Sequence, residues 1–324
     1  MTSDSGGQAV RRSGGQDAPR TAGPPDRPTA HEGQTLVGES LLIRYANFVR
    51  LPHTVFALPF ALLGVVVASR AYPVTWRTLG LVVVAFTAAR FVALGFNRIA
   101  DRDLDARNPR TRGRELPAGR LTLAQAWAAV VVAAALFLWA AWVLNPFCFR
   151  LSPIALAVIT LYSYSKRFTW WSHVWLGFGD AIAGPAGYLA VSGRWSEPWW
   201  LLWMMAAAVT FWVGGFDVFY ALQDEAFDRV EGLHSAVVRF GQARGIFAGK
   251  VLHGLALLAL VAFGAGAGAG AAYYAGVAAA AAFIAREHRL VQPGDLSRLD
   301  AAFFGANGLV SIAVFLGALV DRVL

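Results

Sequence analysis

Two groups of carboxylates lie at the ends of apolar runs, and their spacing is the first chemical signal in the chain. In NRIADRDLDARNPRTRGRELPAGR, Asn97, Asp101 and Asp105 recur every four residues. On a helix, that interval stacks three oxygen-bearing side chains one turn apart on a single face. In FDVFYALQDEAFDRVEGLHS, Asp217, Asp224 and Asp228 are seven and four residues apart, with Tyr220 beside them. Carboxylates in such rows repel one another unless a cation lies between them. Hard divalent cations such as Mg2+ take oxygen ligands and complete their shell with water and substrate phosphate. Asn97, Asp101, Asp105, Asp224 and Asp228 are therefore candidate metal ligands, and two facing rows suit Mg2+ ions around one diphosphate. A single Asp-x-x-x-Asp at a helix end reads equally well as a solvated terminus. Two of them, both rooted in apolar segments, point to function, because acids at membrane depth are costly.

Positive partners accompany these acids. Arg90 lies seven residues before Asn97, hence on the same face and two turns deeper. An intramembrane arginine needs an anion, from the protein or from a substrate, unless it snorkels to the interface. In YSYSKRFTW, Tyr162, Lys166 and Arg167 fall together. Lys166 can neutralise a diphosphate as a point charge and Arg167 can bind it bidentately, although a plain pair of loop cations needs no ligand. Arg50, just before Leu51-Pro52, stands in the same position. His53 and His234 read as interfacial or loop side chains.

The elements that carry these residues are membrane helices. Of 324 residues, 57% are hydrophobic and 15% charged, and the mean hydropathy is +0.50. Soluble domains carry about 25% charged residues, so the balance points to a bilayer. One cysteine, Cys148, excludes an intrachain disulfide and a cysteine metal cluster. The net charge of +8 lies in short segments between apolar runs, which argues against nucleic acid as a partner. Residues 1–38 are rich in Gly, Ser, Pro, Gln and Thr and have no apolar run; they predict a disordered tail without a signal-peptide core. The first hydrophobic segment is then expected to remain as a mature membrane helix, and residues 39–324 to form one transmembrane domain.

A spanning helix needs roughly 20 mostly apolar residues. Nine segments qualify: 53–70, 79–98, 122–144, 150–165, 173–191, 199–221, 248–265, 270–285 and 302–321. Pro153 makes the fourth the weakest. The Gly-Ala run 264–272 reads as a tight connection, and 39–52 as an interfacial lead-in helix. With the N-terminus inside, the inner loops hold fifteen Lys and Arg against five on the other side, a clear positive-inside pattern. Trp195, Trp199 and Trp200 mark the outer interface, and Trp170 and Trp171 the inner one. Both acidic groups then face the cytoplasm, four spans apart, as an internal duplication would leave them.

These motifs resemble the UbiA superfamily of membrane prenyltransferases, over roughly residues 40–322. Asn97, Asp101 and Asp105 match its Asn-x-x-x-Asp-x-x-x-Asp motif. Asp217, Tyr220, Asp224 and Asp228 match its second acidic motif, and Tyr162, Lys166 and Arg167 its Tyr…Lys-Arg element. NPRTRGRELPAG is similar to the 4-hydroxybenzoate polyprenyltransferase branch, including bacterial relatives assigned to menaquinone synthesis. The long polar tail is not part of the family pattern.

The resemblance implies an all-α polytopic fold, nine transmembrane helices around a central cavity in the cell inner membrane. It implies a Mg2+-dependent enzyme that joins a polyprenyl diphosphate to a small aromatic acid in quinone biosynthesis, with no obligate protein partner. The acceptor expected is 4-hydroxybenzoate, with a hydroxynaphthoate-type menaquinone precursor as the alternative. It makes Asp101, Asp105, Asp224, Asp228, Lys166 and Tyr220 catalytic. Asn97, Arg50, Arg90, Tyr162, Arg167 and Asp217 become substrate contacts: Arg50 or Arg90 for an acceptor carboxylate, Asp217 or Tyr220 to steer the ring. A transporter would also explain the helices and Arg90, but its site would lie near midplane rather than on one side. The Asp-Gly-x-x-Ala-Arg signature of the membrane phosphoalcohol transferases is absent.

Overall fold

Apolar runs that cannot satisfy their backbone from lipid must close their hydrogen bonds within helices, and the chain does so almost throughout. The structure, a computed structural model, describes Leu36, Gly38, residues 40–294 and residues 299–324, without the side chains of 51–56 and 299–306. The polar tail predicted over 1–38 lies outside these residues except for Leu36 and Gly38. Leu36 is tied back to the lead-in helix, where it donates its N–H to Asn47 Oδ1 at 2.8 Å and accepts from Asn47 Nδ2 at 3.0 Å. The side chain of His53 is likewise outside the description.

The helices in chain order are α1 (Leu41–Phe48), α2 (Leu51–Ala68), α3 (Trp76–Ala100), α4 (Arg102–Arg107), α5 (Leu123–Leu144), α6 (Pro146–Leu161) and α7 (Ser172–Ala181). They continue with α8 (Ala183–Ser192), α9 (Leu201–Ala221), α10 (Glu225–Val230), α11 (Ala236–Phe240), α12 (Gln242–Gly266), α13 (Ala271–Leu290) and α14 (Leu299–Val323). Among the described residues, six helical stretches are long and apolar enough to cross a membrane: Trp76–Ala100, Leu123–Leu144, Pro146–Arg167, Ser172–Ser192, Leu201–Val230 and Gln242–Gly266. The protein is therefore an all-helical membrane protein.

Sequence signals place many of the ends. Thr122 and Gln125 form a reciprocal capping box that starts α5, and the Thr75 side chain caps α3. Asn145 caps α6, with Pro146 in its first turn. Pro153 lies inside α6 rather than at its boundary, so the fourth segment begins earlier than 150. The predicted helix 173–191 is broken at Ile182 into α7 and α8. Pro185, just beyond, has no N–H to give α7, which ends at Ala181.

Close approach between helices sets the bundle. α9 is largely buried and packs on α7, α12 and α14. A buried polar chain ties the same region together. Trp212 Nε1 donates to Asn307 Oδ1 at 3.2 Å and Asn307 Nδ2 to Glu287 Oε1 at 3.2 Å, while His253 and His288 pair at 2.8 Å. Small residues allow the tightest crossings, as elsewhere in membranes. A Cβ on Gly177 of α7 would collide with the Thr210 carbonyl of α9. Gly80, on the exposed side of α3, has nothing near it. Gly177→Val is therefore expected to destabilise the protein by about 1–3 kcal/mol through overpacking. Gly80→Ala, which meets nothing and removes a helix-interior glycine, should hold or slightly raise the thermal unfolding midpoint in detergent, and comparing the two midpoints checks this.

Candidate active site

Both acidic segments interrupt their helices where the apolar run ends. α3 stops at Ala100, Asp101 leaves helical geometry at φ −98° and ψ 9°, and α4 restarts at Arg102. α9 stops at Ala221, a tight 3-10 turn covers Leu222–Asp224, and α10 follows. Asn97 and Asp101 do share a face, with Asn97 Nδ2 donating to Asp101 Oδ2 at 2.9 Å, but neither helix runs straight through its acids. A helix terminus leaves orphan carbonyls, and here a neighbour meets one: Arg167 Nη2 donates to Ala100 O at 2.8 Å and to Asp101 Oδ1 at 3.0 Å. Arg167 itself sits at the end of a 3-10 turn, Tyr162–Arg167, that continues α6.

These breaks face a polar cavity of about 190 Å³. It is lined by Asn97, Asp101, Asp105, Tyr162, Lys166, Arg167, Asp217, Tyr220, Asp224 and Asp228. Arg90 and Arg50 are not among its lining residues. Arg90 pairs with Asp180 at 2.6 Å in the wall of a second, apolar cavity of about 480 Å³ between α2, α3, α5, α6, α7, α8 and α9. The anionic partner required by an intramembrane arginine is thus the protein's own carboxylate. Arg50 adopts a left-handed backbone, φ 45°, at the start of α2.

Inside the polar cavity, four of the acids face a base. Asp101 meets Arg167, and Asp105 meets Arg114 at 2.6 Å. Asp224 receives the Arg110 guanidinium on both oxygens, with Nε at 2.9 Å from Oδ1, and Asn108 Nδ2 at 3.2 Å. Asp228 lies 3.6 Å from Lys166 Nζ. Arg110 also donates to Tyr220 Oη at 3.1 Å. The segment after α4 therefore folds over the cavity and supplies Asn108, Arg110 and Arg114. Sequence reasoning quoted this stretch as NPRTRGRELPAG without giving these residues a role, since loop cations need no ligand.

Burial and charge act on this rim in opposite directions. Burial pushes the Asp101 carboxyl above the ordinary carboxylate range, against the opposing pull of Arg167. Burial works against the charge on Arg110, yet Tyr220 and Asp224 outweigh it and raise its pKa above the ordinary value. Burial lowers Arg114, helped by the nearby Arg50 and Arg110 charges and opposed by Asp105.

The donor set fits a hard cation. Asp105 Oδ2 is buried in the cavity wall without a hydrogen-bond partner, and Asp228 Oδ2 has the Lys166 ammonium beside it at 3.6 Å. Among the described residues, no three acidic, histidine or cysteine side chains converge into a ready-made cage. Mg2+ is commonly held by one or two carboxylates together with substrate phosphates, so the unpartnered Asp105 Oδ2 is a donor that matches.

One residue in contact with the cavity escaped the sequence. His173, the second residue of α7, is 1% exposed. Its Nδ1 is 2.7 Å from Asp217 Oδ2, and its Nε2 accepts the Ala236 N–H at 3.3 Å. A lone histidine in an apolar run, 44 residues from its partner, leaves no local signal. His234 donates its backbone N–H to Lys166 O at 2.7 Å, in keeping with a loop position.

Fold and cavity define a helical membrane protein that holds an acid-rich polar pocket and an apolar one. The profile of the UbiA prenyltransferase family matches residues 57–309, and the chain belongs to that family. It is 32% identical over 281 residues to a 4-hydroxybenzoate octaprenyltransferase of Alkalilimnicola ehrlichii, covering 86% of this chain and 94% of that protein. It is 32% identical to one from Pseudomonas aeruginosa over 70% of this chain and 75% of that protein. Among solved structures it is similar to an apo UbiA homolog from Aeropyrum pernix K1, with TM-score 0.77 and 32% identity over 83% of this chain and 98% of that one. A UbiA homolog from Archaeoglobus fulgidus, bound to GPP and Mg2+, shares the fold at TM-score 0.61 and 18% identity, over 87% and 100% of the two chains.

Because Asp101 is raised by burial, its ionised form opposes folding above the ordinary carboxylate pKa. Arg167 keeps the Ser163 and Ala100 carbonyls as partners if Asp101 loses its charge. Asp101→Asn is therefore expected to unfold at an equal or higher temperature than wild type at pH 7. The difference should shrink as pH falls to about 4, where unfolded Asp is itself protonated. Thermal unfolding at the two pH values measures it.

Proposed function

We propose that the protein transfers a polyprenyl group from an allylic polyprenyl diphosphate to an aromatic acid, 4-hydroxybenzoate, in quinone biosynthesis. The observation that carries the reading is a pair of cavities in one helical bundle. The polar one is lined by both acidic motifs, and the apolar one by other residues of α3 and α7, such as Ala93 and Asp180, together with α2, α5, α6, α8 and α9. An isoprenoid diphosphate has the same division, a charged head and an apolar tail.

The chain's own groups divide the work. Lys166, Arg167 and Arg110 stabilise charge building on the departing diphosphate, while the apolar cavity holds the tail and excludes water from the allylic cation. Asn97, Asp101, Asp105, Asp224 and Asp228 are the ligands assigned to Mg2+, with the open oxygen of Asp105 as the readiest donor. When bound, Mg2+ supplies Lewis-acid neutralisation of the diphosphate. Tyr162 lines the polar cavity, and Asp217 and Tyr220 steer the acceptor ring. Attack then comes from the electron-rich ring carbon ortho to the phenol.

The same reading assigns nine spans, adding α2, α13 and α14 to the six long stretches. It puts the N-terminus and the polar cavity on the cytoplasmic side of the inner membrane, supported by the fifteen-to-five distribution of Lys and Arg.

The test is a product assay on purified protein with a polyprenyl diphosphate and either 4-hydroxybenzoate or a hydroxynaphthoate, with Mg2+ or with EDTA. A prenylated 4-hydroxybenzoate formed only with Mg2+ is the expected product. Asp101→Ala and Asp224→Ala should each lower turnover by about 10³-fold or more while the protein remains folded. Prenylation of the hydroxynaphthoate alone would replace the acceptor, and no consumption of any donor would overturn the reaction.

A further inference from the structure

We propose that His173 is a positioning residue that holds Asp217 as the base receiving the ring proton during prenyl transfer. The inference rests on the reaction proposed above. Among the described residues, Asp217 is the acid of the polar cavity that no arginine or lysine pairs with. Its neighbours Asp101, Asp105, Asp224 and Asp228 each have a cationic side chain at ion-pair distance and are engaged by it. Asp217 faces an imidazole instead.

The tautomer of that imidazole is set by its surroundings. Nε2 accepts the Ala236 N–H, so the ring proton resides on Nδ1 and is donated to Asp217 Oδ2. The backbone donor is itself held in place. The buried Ser235 side chain accepts from Val238 N at 3.1 Å and caps α11, which begins at Ala236. His173 thus joins α7, α9 and the start of α11. With both ring nitrogens engaged and its side chain only 2% exposed, it is built to orient Asp217 rather than to carry a proton onward. Asp217, whose side chain is 21% exposed in the cavity wall, keeps Oδ1 for the substrate.

The step balances. The allylic C–O bond breaks and the diphosphate leaves with both electrons. The ring carbon ortho to the phenol supplies the pair for the new C–C bond and then carries both its hydrogen and the prenyl group. Asp217 Oδ1 removes that hydrogen as a proton, and the C–H electron pair restores aromaticity. Asp217 returns the proton to the diphosphate, which takes it away on release.

The experiment uses the full chain and 4-hydroxybenzoate deuterated at both positions ortho to the phenol. In wild type kcat is expected to be the same for labelled and unlabelled acceptor, with departure of the diphosphate rather than loss of the ring proton setting the rate. Asp217→Asn and His173→Phe are expected to lower kcat about 100-fold. In both, deprotonation becomes limiting, so the labelled acceptor turns over more slowly than the unlabelled one. KM for the diphosphate should change by less than about threefold. His173→Asn, whose amide can donate from near the Nδ1 position, should recover most of kcat and remove the isotope effect. An Asp217→Asn enzyme that is slow without an isotope effect overturns the proposal. So does a His173→Phe enzyme that matches wild type, or a loss that His173→Asn shares without an isotope effect. If His173→Phe does not fold, Asp217→Asn and His173→Asn decide the matter. A wild-type protein that forms no prenylated acid overturns the underlying reaction, and the inference with it.

Discussion

Charge removed from water at the edge of an apolar bundle has to be met by opposite charge or by hydrogen bonds. The polar cavity is organised around that requirement. Arg167, Arg114, Arg110 and Lys166 answer Asp101, Asp105, Asp224 and Asp228. Each pair joins segments that are otherwise separate. Arg110 brings the stretch after α4 against α9, and Arg167 clamps the end of α6 to the end of α3. Without those cations the acids would repel one another, and the breaks that aim them inward would have no reason to persist.

The compensation is incomplete in a way that suits ligand binding. Arg114 engages one oxygen of Asp105 and leaves the other, buried, without a hydrogen-bond partner. Lys166 stands 3.6 Å from Asp228 Oδ2, a looser pairing than those made by the arginines. An isolated arginine–carboxylate pair buried in protein is often no more stable than an apolar substitute. Several such pairs around one cavity are better understood as a binding surface for a doubly charged ligand than as a source of stability.

The apolar cavity follows a different rule. Alanine, valine and phenylalanine side chains line it, and Arg90 with Asp180 is its charged feature. The pair at 2.6 Å keeps an arginine at depth without asking a substrate to neutralise it. Helix contacts made through glycine, such as Gly177 against Thr210, bring α7 close enough to α9 for His173 to reach Asp217.

The amino-acid sequence alone determined the membrane class, the helical architecture and most of the polar site. Hydropathy over about 20 residues and carboxylates at four-residue intervals are local properties, readable without coordinates. Asn97, Asp101, Asp105, Tyr162, Lys166, Arg167, Asp217, Tyr220, Asp224 and Asp228 all line one cavity. Tertiary structure decided the pairings. Nothing local shows that Arg90 belongs to Asp180 or that Arg110 belongs to Asp224, because 90 and 114 residues separate them. It decided where the two acidic helices break, since those ends are held by Arg167, Arg110 and Asn108 from other segments. It also decided the role of His173: an unremarkable residue near the start of an apolar run acquires an acid on α9 and a backbone donor on α11 only when three helices meet.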